Sequence, residues 1–94
     1  MEMKLHQLKI LDQYYIDVDS GKKTFELRED DRDYEVDDLI NFIRIDKKGS
    51  LINTDFVYQI VYILRDCPKY GLLEGYAILG IRKCGKLVSW PHIK

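Results

Sequence analysis

Three runs of β-branched and aromatic residues, Leu39–Ile45, Phe56–Leu64 and Gly75–Lys83, are parted by clusters of turn-forming residues, and this spacing most narrows the folds open to the chain. Each run has the length of a short strand. Asp46-Lys47-Lys48-Gly49-Ser50 reads as a hairpin loop, with Gly49 free to take a positive φ. Pro68 and Gly71 mark Arg65–Glu74 as a loop, and Leu87–Trp90 reads as a short last strand that Pro91 stops. Upstream, His6–Leu11 has the composition of an opening strand. One segment reads as a helix: Asp12 is placed to cap its N-terminus, Tyr14, Tyr15 and Val18 form a narrow apolar stripe, and Ser20-Gly21 ends it near Asp19. Asp30–Asp38 carries too many turn-forming acids for regular structure, with Tyr34 and Val36 expected to pack down. With 94 residues there is room for one core. The expectation is a single α+β domain over residues 1–94, a strongly curved sheet or small barrel of five to six strands with one helix as cover.

Between helix and first long strand lies Gly21-Lys22-Lys23-Thr24-Phe25-Glu26-Leu27-Arg28. Phe25 and Leu27 alternate with Thr24, Glu26 and Arg28, so a strand here has one apolar and one polar face. The expected arrangement buries Phe25 and Leu27 and presents Glu26 and Arg28 side by side. Lys23 joins them if Gly21 turns the chain.

Hydrophobic residues make up 46% and charged residues 33%, which separates the chain from disordered sequences. The net charge of −1 supplies no global basic field for nucleic acid. Its distribution is uneven, since residues 26–38 hold eight acids against Arg28 and Arg32, and the chain from Leu39 onward holds nine Lys or Arg against four acids. A basic surface for an anionic partner is expected. Cys67 and Cys84 have no zinc-type spacing, and no motif asks for a cofactor. Without a signal peptide or an apolar run near 18 residues, the reading is a cytoplasmic protein with reduced thiols and no membrane partner.

Gly21-x-Lys23-x-x-Glu26-x-Arg28 resembles the signature of the ASCH domain superfamily, whose fold is similar to that of PUA domains. The likeness is closer to one uncharacterised branch, largely bacterial and phage-borne, that pairs an opening His-x-Leu-Lys with Lys-x-Phe-Glu-x-Arg and Asn-Asp-Arg. Here these are His6-Gln7-Leu8-Lys9, Lys23-Thr24-Phe25-Glu26-Leu27-Arg28 and Asp30-Asp31-Arg32, followed by Gly71-Leu72-x-x-Gly75-Tyr76-x-x-Leu79-Gly80. Asp30 replaces the usual Asn, and Asp37 stands where a Gly usually precedes Asp38. Asp tolerates the left-handed region better than most residues, so that turn is compatible.

The resemblance implies a PUA-like β-barrel with a helix over a cleft, binding RNA or a nucleotide or nucleoside. Ligand contacts then fall to Lys23, Glu26 and Arg28, with His6, Lys9 and Arg32 as further candidates. His6 and Lys9 have opposite parity on a regular strand, and Arg32 is placed to lock its loop through Asp31 or Asp33. One enzymatic branch deacylates acetylated cytidine, using a lysine at the position of Lys23 and a threonine at that of Glu26. A carboxylate has no proton to donate at neutral pH. As an amidohydrolase the chain would run on Lys23 with Glu26 or Glu74 as proton-transfer partner and Thr24 nearby. A third reading, a protein-interaction module, predicts a contiguous apolar patch.

Overall fold

The computed structural model describes residues 3–87. All but the first residue of the strand expected at Leu87–Trp90, and the Trp90-Pro91-His92 terminus, lie outside the described residues. The elements are β1 (Leu5–Leu11), α1 (Asp12–Asp19), β2 (Phe25–Glu29), β3 (Leu39–Ile45), β4 (Leu51–Leu64), a 3-10 turn (Pro68–Tyr70) and β5 (Tyr76–Lys86). One five-stranded sheet runs in the order β1-β3-β4-β5-β2. β1 and β3 are parallel, and the remaining neighbours are antiparallel. The fold is small and α+β, as expected, and the sheet curls into a half-barrel with β1 and β2 as its two edges.

Bulges do the bending. β4 is longer than the run that announces it, because Asn53, Thr54 and Asp55 interrupt its apolar pattern without ending it. The register between β3 and β4 shifts between Asn41 and Ile43. Buried Asn41 fills that irregularity, donating to the Thr54 and Phe56 carbonyls at 3.1 Å each, while the Thr54 hydroxyl donates to the Phe42 carbonyl at 2.6 Å. Two further shifts between β4 and β5 fall at Val57/Tyr58 and Ile60/Tyr62, and such extra residues increase local twist and curvature.

The concave side holds the core. β1 alternates as a half-buried strand should, with His6, Leu8 and Ile10 inward and Gln7, Lys9 and Leu11 outward. Phe42 from β3 lies edge-on to Tyr58 of β4 at 5.5 Å and to Tyr15 of α1 at 6.2 Å, in the geometry aromatic quadrupoles favour. Tyr15 and Val18 are the buried residues of α1; Tyr14 is 45% exposed.

Asp12 does not cap the helix. β1 runs straight into α1, so Leu11, in an extended conformation, occupies the cap position, and Asp12 is drawn into an ion pair with Arg44 of β3. Gly21 takes φ +85° just past the helix, and Gly49 takes φ +84° in the hairpin, both as expected. Tyr34 is 2% exposed, whereas Val36 remains at the surface. Asp37 adopts φ +79°, a left-handed conformation that aspartate tolerates better than most residues.

Candidate functional site

β2 presents its faces opposite to expectation. Phe25 and Leu27 are 46% and 54% exposed, while Glu26 is 5% exposed and points inward. The period of two fixes which residues share a face, and the antiparallel register then decides which face is inside. Glu26 pairs with Leu79 and Arg28 with Ala77, both fully buried on β5, whereas Phe25 and Leu27 pair with Gly80 and Ile78 on the outer side.

The inward charges satisfy one another. Lys23 Nζ donates to Glu26 Oε1 at 2.5 Å and to the Phe25 carbonyl at 2.8 Å. Arg28 Nη1 donates to Glu26 Oε2 at 3.0 Å and to the Lys9 carbonyl at 2.8 Å. One carboxylate is thus held between two cations, each oxygen paired with one of them. Gly21 makes this possible by reversing the chain after α1, and the Lys23 N–H donates to the Asp17 carbonyl at 2.9 Å. The ammonium also lies 5.0 Å from the Phe25 ring centroid and 5.8 Å from that of Tyr14, within cation–π range.

Arg28 has a second role at the seam. β1 and β2 are the open edges, and its bond to the Lys9 carbonyl crosses between them. Arg32 repeats the contact with Nη1 to the Gln7 carbonyl at 3.3 Å. Arg32 is therefore tied to β1 and not to Asp31 or Asp33. Lys9 contributes its carbonyl to the cluster; its side chain is exposed, on the opposite parity from the core residues of β1.

His6 does not join the cluster. Its Nε2 lies 2.9 Å from Asp38 Oδ2, and its ring packs edge-on against Tyr34 at 4.8 Å. Asp38 also accepts the Lys4 N–H at 3.2 Å and the Glu35 N–H at 3.0 Å. Burial pushes the Asp38 carboxyl up, but the bonds from His6, Lys4 and Glu35 outweigh it and hold its pKa below the ordinary value. This set latches the loop before β3 onto β1. Tyr34 stands between latch and cluster: burial raises its pKa, and the Arg28 and Arg32 charges oppose that rise.

Beside Lys23 a hollow of about 290 Å³ opens between the end of α1 and β5, lined among others by Val18, Asp19, Lys23, Thr24 and Tyr58. Asp19 pairs with Lys83 at 2.7 Å along its wall. The Tyr58 hydroxyl is buried without a hydrogen-bond partner among the described residues, and burial raises its pKa strongly. No sequence signal marked Tyr58 or Asp38. Thr24 reaches this hollow, but Glu74 does not. It sits in the exposed turn before β5, where Gly75 bonds Asp30 past the far end of β2, roughly 20 Å along the strand from Thr24. Of the residues named for an amidohydrolase, Lys23 and Glu26 are brought together and Thr24 shares the hollow with Lys23, while Glu74 stands apart. Asp30 forms a two-point ion pair with Arg65 at 2.8 and 3.2 Å.

No helix among the described residues is long and apolar enough to cross a membrane. The sequence model of a family described as "Domain of unknown function (DUF3850)" matches residues 5–81. No curated protein matches the chain.

Proposed function

The chain belongs to the DUF3850 family, and from the geometry of its site we propose that it is a PUA-like module that binds RNA or a nucleotide through Lys23, Glu26 and Arg28. The observation that carries this reading is Glu26, a carboxylate 5% exposed on the inner face of an edge strand and gripped by two cations. Fold stability gives little reason for such a residue, because well-packed apolar side chains commonly stabilise a buried position as well as an ion pair does. The same strand carries Phe25 and Leu27, yet places them outside.

Recognition gives a reason. Arg28 uses Nη1 for its contacts among the described residues, which leaves Nη2 and Nε as donors. Lys23 retains one of its three N–H donors, and each Glu26 oxygen retains acceptor capacity. A nucleobase edge offers amino donors and carbonyl acceptors, and its phosphate takes arginine in a two-point contact. The unpaired Cys67 and Cys84 support a cytoplasmic setting for such a protein.

Calorimetric titration with a panel of nucleotides and short RNA fragments tests the reading. Arg28→Glu is expected to abolish binding, and Glu26→Gln to weaken it by roughly 10- to 100-fold, the worth of one good base-edge contact. Lys47→Glu in the hairpin loop should leave affinity unchanged. Unaltered binding by both cluster variants, with folding verified by circular dichroism, would exclude this site. The amidohydrolase alternative draws on the shared hollow of Lys23 and Thr24. Incubation with acetylcytidine separates the two, since binding alone predicts no released acetate.

A further inference from the structure

β2 alternates as a strand does when one face is buried by apolar contact, yet its apolar face is left largely exposed, with the Lys23 ammonium 5.0 Å from the Phe25 ring centroid. The strand register makes the surface explicit. Phe25 lies opposite Gly80, which lies opposite Tyr62; Leu27 lies opposite Ile78, which lies opposite Leu64. Phe25, Leu27, Tyr62 and Leu64 are 46%, 54%, 65% and 40% exposed. They form two apolar rows across three strands on the outer face of the sheet. Gly80 keeps the middle of the upper row low: a Cβ there would approach the Tyr62 Cβ to 3.3 Å. A contiguous apolar surface of this kind marks an interaction site more often than a scattering of single side chains does.

The charges bounding the rows select the occupant. One step beyond the Leu27 row, on the same outward parity, stands Glu29, exposed and without an ion pair among the described residues. One step beyond the Phe25 row stands exposed Arg82, which pairs in register with Gln59 and donates to its side-chain oxygen at 2.6 Å. Arg65, near the acidic end, is already held by Asp30. The face therefore runs from acid through an apolar centre to base over roughly 20 Å. A surface with opposite charges at its two ends is complementary to itself under a two-fold rotation.

We propose that this outer face binds a second copy of the chain. The two-fold axis lies in the interface perpendicular to the strands, so that Arg82 of each copy meets Glu29 of its partner and the apolar rows pack together. An axis parallel to the strands would instead oppose like charges. Facing sheets pack with strands near alignment, as this arrangement requires.

Sedimentation equilibrium over a concentration series tests the proposal. The wild type is expected to reach twice the chain mass, and Leu27→Lys, checked for folding by circular dichroism, to sediment as a monomer. Arg82→Glu alone should raise the dimer dissociation constant by roughly tenfold, because the symmetry repeats the repulsion at both ends. Glu29→Arg alone should do the same, and the double variant should restore association. A wild type that stays monomeric at every concentration overturns the proposal. So does a dimer indifferent to Leu27→Lys, and so does a double variant no tighter than the single ones.

Discussion

Glu26 occupies an inward position that a short strand ordinarily fills with an aliphatic side chain. Its neighbours Lys23 and Arg28 keep backbone carbonyl partners of their own, at Phe25 and Lys9. Replacing the carboxylate by an amide removes the countercharge and leaves both cations partly held. Glu26→Gln is therefore expected to lower stability by about 2 kcal/mol, less than for a fully enclosed pair, because the cations retain partners and some exposure. Urea denaturation measures it. Asp38 carries a pH dependence of definite sign. Its pKa in the folded state lies below the ordinary value of 3.8. The stabilisation is thus complete above that value and is lost as pH falls through the depressed one. Asp38→Asn should destabilise the protein at neutral pH and flatten the acid limb of its stability curve below about pH 4, read by urea midpoints from neutral to acid pH. At this scale the sequence made the convergence of Lys23, Glu26 and Arg28 legible, since their spacing puts two of them on one face. It named His6 as a candidate contact but left its pairing with Asp38 hidden, because that partner lies 32 positions away and no local spacing encodes it.

For the elements, β2 shows what alternation does and does not determine. Phe25 and Leu27 share a face in both the reading and the fold, but which face meets the core depends on pairing with β5, a strand about 50 residues downstream. The helix was legible almost to the residue, since Asp12–Asp19 is bounded by a strand and by Gly21. The capping role given to Asp12 failed for a tertiary reason, the pull of Arg44. Gly21 is the local device on which the site depends, because Lys23 can turn back toward Glu26 after it. No atom crowds a Cβ at that position, so the cost of Gly21→Ala comes from φ +85° alone. About 1–2 kcal/mol of destabilisation is expected, seen in calorimetry as a melting temperature lower by roughly 4–16 °C. β4 outran its apolar signal by five residues, Leu51–Asp55, because the Asn41 side chain supplies hydrogen bonds that a regular ladder would otherwise have to make.

Across the whole molecule, the uneven charge along the sequence becomes a set of internal pairs. Acids upstream of Leu39 meet cations downstream of it: Asp12 with Arg44, Asp19 with Lys83, Asp30 with Arg65. Arg44, Arg65 and Lys83 are thereby neutralised, while Arg28 and Arg32 stand at the seam where β1 and β2 approach. There Arg28 and Arg32 hold the carbonyls of Lys9 and Gln7 and keep the half-barrel's edges together. On the proposed function, recognition at this seam is coupled to the closure of the sheet. The most direct measurement is a two-dimensional amide NMR titration of the intact protein with nucleotides and short RNA fragments. Saturable shifts centred on Lys23, Glu26 and Arg28, extending across the seam to Gln7 and Lys9 and absent from Lys47 and Lys48, are the predicted result. Ligand-induced shifts confined to other surfaces, or no shifts with any member of the panel, would contradict the account.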